Sequence, residues 1–263
     1  MQILNIAGYK FTPLTNLIDL KAHLEKICQN LDVIGTILLS EEGINLNLAG
    51  EEQNISKFKD LLLSLDQFND MTFRESYSES KPFRKLKVKI KSEIITFKQK
   101  DSTPKGNRAP DISPKEMKQW LDENRDFTLL DTRNDYEMQF GTFKKAVGLD
   151  IQDFSELPSH LDKLPKEKPV VMFCTGGIRC EKAALNLLNN GFNEVKQLDG
   201  GILNYFKEVG GDHYEGECFV FDARVALDAK LKSNGTQQCE TCFGPILNPK
   251  SSNEHTCPSC ITN

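Results

Sequence analysis

The sequence predicts a multidomain chain of mixed α/β and α+β class: an N-terminal ferredoxin-like βαββαβ domain, a central α/β domain with a parallel sheet, and a small cysteine-rich C-terminal tail. Three observations predict it. Over residues 1–100, apolar strands and helix-spaced leucines follow one another in the order βαββαβ. Over residues 113–212, strands and helices alternate singly, which implies parallel strands joined by helical crossovers. Four of the eight cysteines fall in the last 25 residues as two C-x-x-C pairs, within a segment spanning 213–263. A chain of 263 residues is long enough to build more than one core.

LNIAGYKF reads as the first strand. Leu17, Leu20, Leu24, Ile27, Cys28 and Leu31 then recur at helical spacing, with Cys28 as a small core residue. VIGTILLS and INLNLAG are strands joined by EEG, a hairpin turn containing glycine. Ile55, Phe58, Leu62 and Leu65 mark a second helix, and MTFRESY a further strand. KLKVKIKSEIITF adds one or two strands, with Leu86, Val88 and Ile90 on one face and Lys85, Lys87, Lys89 and Lys91 on the other. The polar, Pro- and Gly-containing stretch over 101–112 reads as a linker. The next domain opens on a helix start: Ser113 as N-cap, Pro114 at the first helical position and Glu116 three residues past the cap. FTLLD, AVGLDI, PVVMFC and EVKQLD follow as short apolar strands separated by helical segments.

The net charge of −5 hides an asymmetry. Residues 1–80 carry 6 Lys/Arg against 12 Asp/Glu, residues 81–108 carry 10 against 2, and the remainder 17 against 24. One basic segment in an acidic protein points to a local anionic partner. The lysine row has two readings: it guards an exposed sheet edge, or it meets a nucleic-acid backbone. No apolar run approaches the ~20 residues needed to cross a bilayer. MQILNIAGYKF lacks a charged region followed by a long apolar stretch. A cytoplasmic protein without membrane contact is expected, in which cysteines serve metal binding and thiol chemistry.

FCTGGIRCEKAA places Cys174 where an apolar strand turns into a helix. That edge of an open α/β sheet is where ligands bind. Thr175, Gly176, Gly177 and Ile178 form the loop; the glycines allow its curvature and its N–H groups point inward. Arg179 adds a permanent positive charge. Together they should hold Cys174 as an exposed, nucleophilic thiolate, with Arg179 and the N–H groups steadying an anion. Cys180, at the helix start, reads as a packing residue or a resolving thiol. Cysteine-based phosphatases use a C-x5-R ring; the shorter C-x4-R ring here resembles the rhodanese loop, sized for one sulfur carried as a persulfide. LLDTRNDYEMQFGTFKKAVGLDI and LDGGILNY resemble further rhodanese segments, with Asp131, Arg133, Glu137, Gly141 and Ala146 at the family's positions. Asp131 and Arg133 are expected to form an internal ion pair that shapes the sheet edge.

Cys239, Cys242, Cys257 and Cys260 form two C-x-x-C knuckles separated by 14 residues. That spacing can close a tetrahedral site of four thiolates, expected to hold structural zinc. An iron–sulfur cluster and metal-free redox pairs are the alternatives.

The combination of a βαββαβ domain carrying SEEGIN, the PFRKLKVKIKSEII segment, the CTGGIRCEKA loop, FVFDARV and a cysteine-rich tail resembles the oxygen-dependent tRNA uridine(34) hydroxylase family nearly end to end. The resemblance implies hydroxylation of the wobble uridine at C5, with molecular oxygen as co-substrate, Cys174 as active-site cysteine and a tRNA anticodon loop as partner. It gives the lysine row a role on RNA; DNA is not an expected partner. A persulfide sulfurtransferase is the alternative. The sequence carries no glycine-rich dinucleotide fingerprint and no His/carboxylate cluster of the non-haem iron kind. It leaves open any other redox cofactor, the tRNA species and the oligomeric state.

Overall fold

The structure, a computed structural model, describes residues 2–247, 249 and 255–261. The chain divides into two compact units, residues 1–96 and 97–263.

The first unit contains β1 (Ile3–Phe11), α1 (Leu17–Asn30), β2 (Ile34–Ser40), β3 (Gly43–Glu51), α2 (Glu52–Leu63), β4 (Arg74–Ser78) and β5 (Leu86–Ile90). Its sheet runs β4-β1-β3-β2-β5. β3 lies antiparallel between β1 and β2, and β4 lies antiparallel to β1. This is the ferredoxin-like split βαβ arrangement, to which β5 adds a parallel edge strand beside β2. The β2–β3 turn is tight because Gly43 adopts φ 148°, and a Cβ there would overlap the Lys10 carbonyl. Leu24, Cys28, Ile55, Phe58 and Leu62 bury the helix faces against Ile37, Leu39, Ile44, Leu46 and Leu48 of the sheet. Burial pushes the Cys28 thiol up to about 12, so it is an inert core residue. Of the apolar side of KLKVKI, Val88 is buried, whereas Ile90 at the strand's end is 41% exposed.

The second unit begins with β6 (Asp111–Ile112), α3 (Pro114–Asp122), β7 (Thr128–Asp131), α4 (Asp135–Met138) and β8 (Gly141–Phe143). It continues with β9 (Val170–Phe173), α5 (Ile178–Asn189), β10 (Val195–Leu198) and α6 (Gly201–Val209). β6-β10-β9-β7 form an all-parallel sheet. Val171 and Phe173 join Met117, Ile202, Tyr205 and Phe206 in one core cluster. Val170 and Met172 point to the opposite face and are equally buried. α3 starts on the Ser113 cap, whose hydroxyl accepts the Glu116 N–H at 3.1 Å, a contact worth ~1 kcal/mol.

Two local expectations differ from what is found. The 101–112 stretch is fastened to the second unit: Asn186 donates to Ser102 Oγ at 3.2 Å, and Arg108 pairs with Glu181 and Asp111 at 2.8 and 2.6 Å. AVGLDI makes only an isolated bridge, Leu130 to Val147, because Lys145 and Asp150 on either side take left-handed φ of 64° and 56°.

After α6 come three short antiparallel pairings. β11 (Tyr214–Gly216) pairs with β8, β12 (Cys218–Phe219) with β13 (Ala226–Leu227), and β14 (Gln237–Gln238) with β15 (Pro245–Ile246). The last described element is α7 (Pro258–Ile261). Among the described residues no helix is long and apolar enough to cross a membrane.

Candidate active site and four-cysteine centre

β9 ends at Phe173, so Cys174 is the first residue beyond the sheet. The chain then turns through Thr175 and Gly176 to Gly177, which takes φ 99° and starts α5. The Gly177 N–H donates to Cys174 Sγ at 3.1 Å. α6 holds the loop from the other side: the Ile202 and Leu203 N–H groups donate to the Cys174 and Thr175 carbonyls at 3.0 and 3.1 Å. This close approach explains LDGG. Gly201 sits at φ 66°, and a Cβ there would overlap the Cys174 carbonyl.

Burial alone would raise the Cys174 thiol. The Cys180 thiol, the Arg179 charge and the Arg179 and Gly177 amides together outweigh it and lower Cys174 to about 5. Cys180 moves the opposite way, raised by burial and by the Cys174 charge beside it. Its sulfur lies 3.8 Å from Thr132 Oγ1. A thiolate at neutral pH is therefore assigned to Cys174 and a neutral thiol to Cys180.

Two features depart from a freely presented thiolate. Cys174 is 1% exposed, because the loop curls over its own sulfur and α6 closes behind it. Arg179 does not face the loop unpartnered: its Nη1 and Nη2 fork onto Glu137 at 2.6 and 2.7 Å, both residues buried. Such a bidentate pair fixes the guanidinium plane. Glu137 also completes the α4 capping box, accepting the Asn134 N–H at 3.1 Å. The charge of Arg179 acts on Cys174 through space while its two outer nitrogens are committed to Glu137.

Asp131 and Arg133 are both fully buried and paired at 2.6 Å. Arg133 also donates to the Gly141 carbonyl at 2.7 Å, and Thr142 Oγ1 donates to Asp131 at 2.8 Å. The pair thus ties the end of β7 to β8.

The β12–β13 segment reaches the same loop. Thr175 Oγ1 donates to the Phe219 carbonyl at 3.2 Å, and Arg179 Cζ lies 5.8 Å from the Phe221 ring centre. Phe219 is edge-on to Tyr136 at 5.4 Å, and Tyr136 meets Phe243 at 6.2 Å. This aromatic chain runs from Arg179 to the first C-x-x-C knuckle. Sequence reasoning placed Glu137 among the rhodanese-like positions without pairing it with Arg179, and did not assign these aromatics to the site. The N-x-x-E spacing of the capping box and the apolar FVF run are the signals that could have found them.

Cys239, Cys242, Cys257 and Cys260 converge, with all four sulfurs within 4.8 Å of one another. Cys242 and Cys257 are 3.7 Å apart, close to the ~3.8 Å edge of a tetrahedron of thiolates at 2.3 Å from zinc. The Cys257 N–H donates to Cys239 Sγ at 3.3 Å, and amide hydrogen bonds from Cys242 and Cys257 lower Cys239 to about 6. The cluster can hold a metal ion. His213 and His255 are turned to Asp122 and Glu240, and Cys218 is buried and pushed up to about 12. The row Lys85, Lys87, Lys89 and Lys91 lies exposed on and just beyond β5 in the first unit.

Residues 3–94 match the family model described as the UPF0176 acylphosphatase like domain, and residues 113–208 match that of the rhodanese-like domain. A protein of Cupriavidus necator is 45% identical, covering 99% of this chain and 97% of its own length. One of Cupriavidus pinatubonensis is 43% identical with the same coverage, and one of Delftia acidovorans is 47% identical, covering 87% and 90%. Each carries the name tRNA uridine(34) hydroxylase.

Proposed function

The chain belongs to the tRNA uridine(34) hydroxylase family, and on that premise we propose that it hydroxylates the wobble uridine of tRNA at C5, with Cys174 as the reacting thiol and molecular oxygen as co-substrate. The observation that carries this reading is the Cys174 loop, where a thiol lowered to about 5 supplies a nucleophile at neutral pH.

The thiolate adds to C6 of the uracil. The C5–C6 double bond opens and its electron pair passes through C5 to O4. C5 then becomes nucleophilic toward an oxygen donor. Loop N–H groups and the α5 N-terminus favour the negative charge that develops. Once C5 carries oxygen, loss of its proton and departure of the sulfur restore the double bond. With dioxygen as donor, one atom enters the ring. The other would leave as water, its two electrons and two protons supplied by a pair of thiols of the cell's reducing milieu that become a disulfide. Because Cys174 is 1% exposed, its sulfur reacts from a loop that opens transiently, a state that RNA binding would favour.

The exposed lysines of the first unit would bind the tRNA backbone. The four cysteines would hold zinc as a closed, structural site, because four thiolates leave no open position. A cytoplasmic location supplies both tRNA and a reducing milieu for these thiols.

A persulfide sulfurtransferase is the second reading, favoured by a loop that closes on a single sulfur atom. Nucleoside analysis of unmodified tRNA incubated with the protein, with and without oxygen, separates the two. The hydroxylase yields 5-hydroxyuridine at the wobble position only with oxygen, and none with Cys174→Ser. Cyanide-dependent thiocyanate formation indifferent to oxygen would establish the transferase instead.

A further inference from the structure

Phe221 is a large aromatic side chain left 58% exposed beside a buried thiol site. It sits in the turn between β12 and β13, and that turn is pinned. The Val220 N–H donates to the Val225 carbonyl at 2.8 Å, and the Arg224 guanidinium forks onto Asp222 at 2.8 and 2.6 Å. The turn is also tied to the Cys174 loop twice, through Thr175 to the Phe219 carbonyl and through Arg179 to the Phe221 ring. Phe219 stands edge-on to Phe221 at 5.2 Å and 90°. The Arg179 guanidinium cannot swing away, because Glu137 holds both of its outer nitrogens. The fold therefore fixes the position of this ring without burying it.

We propose that Phe221 is a stacking platform for an unpaired pyrimidine base of the RNA substrate, holding the anticodon loop at the mouth of the Cys174 loop. The proposal rests on the hydroxylase reading above. Sequence-specific RNA recognition targets bases splayed from single-stranded loops, and such bases stack on aromatic faces. A rigid, half-open ring against Arg179 of the Cys174 loop is the feature this requires. Stacking one base on an aromatic ring accounts for roughly ten- to hundredfold in affinity. A ring whose position is fixed beforehand adds little ordering cost.

The test compares full-length wild type with Phe221→Leu, Phe221→Tyr and Phe221→Trp on a tRNA carrying an unmodified wobble uridine. Hydroxylation and binding are measured in parallel. Phe221→Leu keeps apolar bulk and loses the ring; it should raise KM and Kd roughly tenfold with a much smaller change in kcat. Tyr and Trp should stay within about threefold of wild type. The indole introduced by Phe221→Trp should lose fluorescence when the RNA binds, read against a wild-type background that contains only Trp120. Unchanged alkylation of Cys174 in Phe221→Leu shows that the loop is intact. Wild-type KM and Kd in Phe221→Leu, or an indole indifferent to RNA, overturns the platform. If wild type leaves tRNA unmodified, the hydroxylase reading falls, and the binding and fluorescence arms still decide the platform.

Discussion

At the scale of single residues, the ionisation of Cys174 is the deciding quantity. An ordinary thiol titrates near ~8.5 and is mostly protonated at neutral pH. Cys174 is lowered to about 5, so its thiolate forms as pH rises through that value and persists above it. Alkylation of Cys174, followed by peptide mass spectrometry, should therefore rise through a midpoint near 5 and flatten before neutrality. A midpoint at the ordinary thiol value would remove the nucleophile from the proposal. Cys174→Ser keeps the shape and loses the low-lying anion; its hydroxylation should fall by more than ~100-fold while tRNA binding stays.

At the scale of elements, two supports matter. The first is Glu137, which joins α4 to the start of α5 through Arg179. Glu137→Gln leaves the buried guanidinium without its counter-charge, and about 3–5 kcal/mol of stability should be lost. The measurement is a lower denaturant midpoint with an unchanged slope. A variant as stable as wild type would show that the pair carries no net stabilisation. The second support is the four-cysteine centre, which clamps β14, β15 and α7 together. Structural zinc in such sites contributes about 10–16 kcal/mol of apparent binding energy, all of it available for folding. Metal analysis should find one zinc per chain. Chelation should make residues 237–247 protease-sensitive while the parallel sheet persists. A metal-free protein with a protease-resistant tail would reverse that assignment.

At the scale of the whole molecule, charge asymmetry is the property to test. In this acidic chain one segment, residues 81–108, carries 10 Lys/Arg against 2 Asp/Glu, and there Lys85, Lys87, Lys89 and Lys91 stand exposed. If they meet phosphates, replacing all four by alanine should reduce the salt slope of tRNA binding by roughly 3. If they only guard the β5 edge, the slope stays and the variant self-associates. The two outcomes are read in one salt titration with light scattering.

The sequence by itself determined the βαββαβ order, the strand–cysteine–glycine–helix turn at Cys174 and the knuckle spacing of the four cysteines. Each depends on residues close together in the chain, where side-chain period and glycine placement dictate backbone shape. Only the tertiary structure decided that Arg179 is committed to Glu137, that Cys174 lies beneath its loop, that Gly201 must be small, and that Phe221 stands beside the site. The physical reason is that a buried charge takes its counter-charge, and a loop its cover, from segments distant in sequence. Glu137 and Arg179 lie 42 residues apart, and no local pattern records which carboxylate will meet which guanidinium once the sheet has closed.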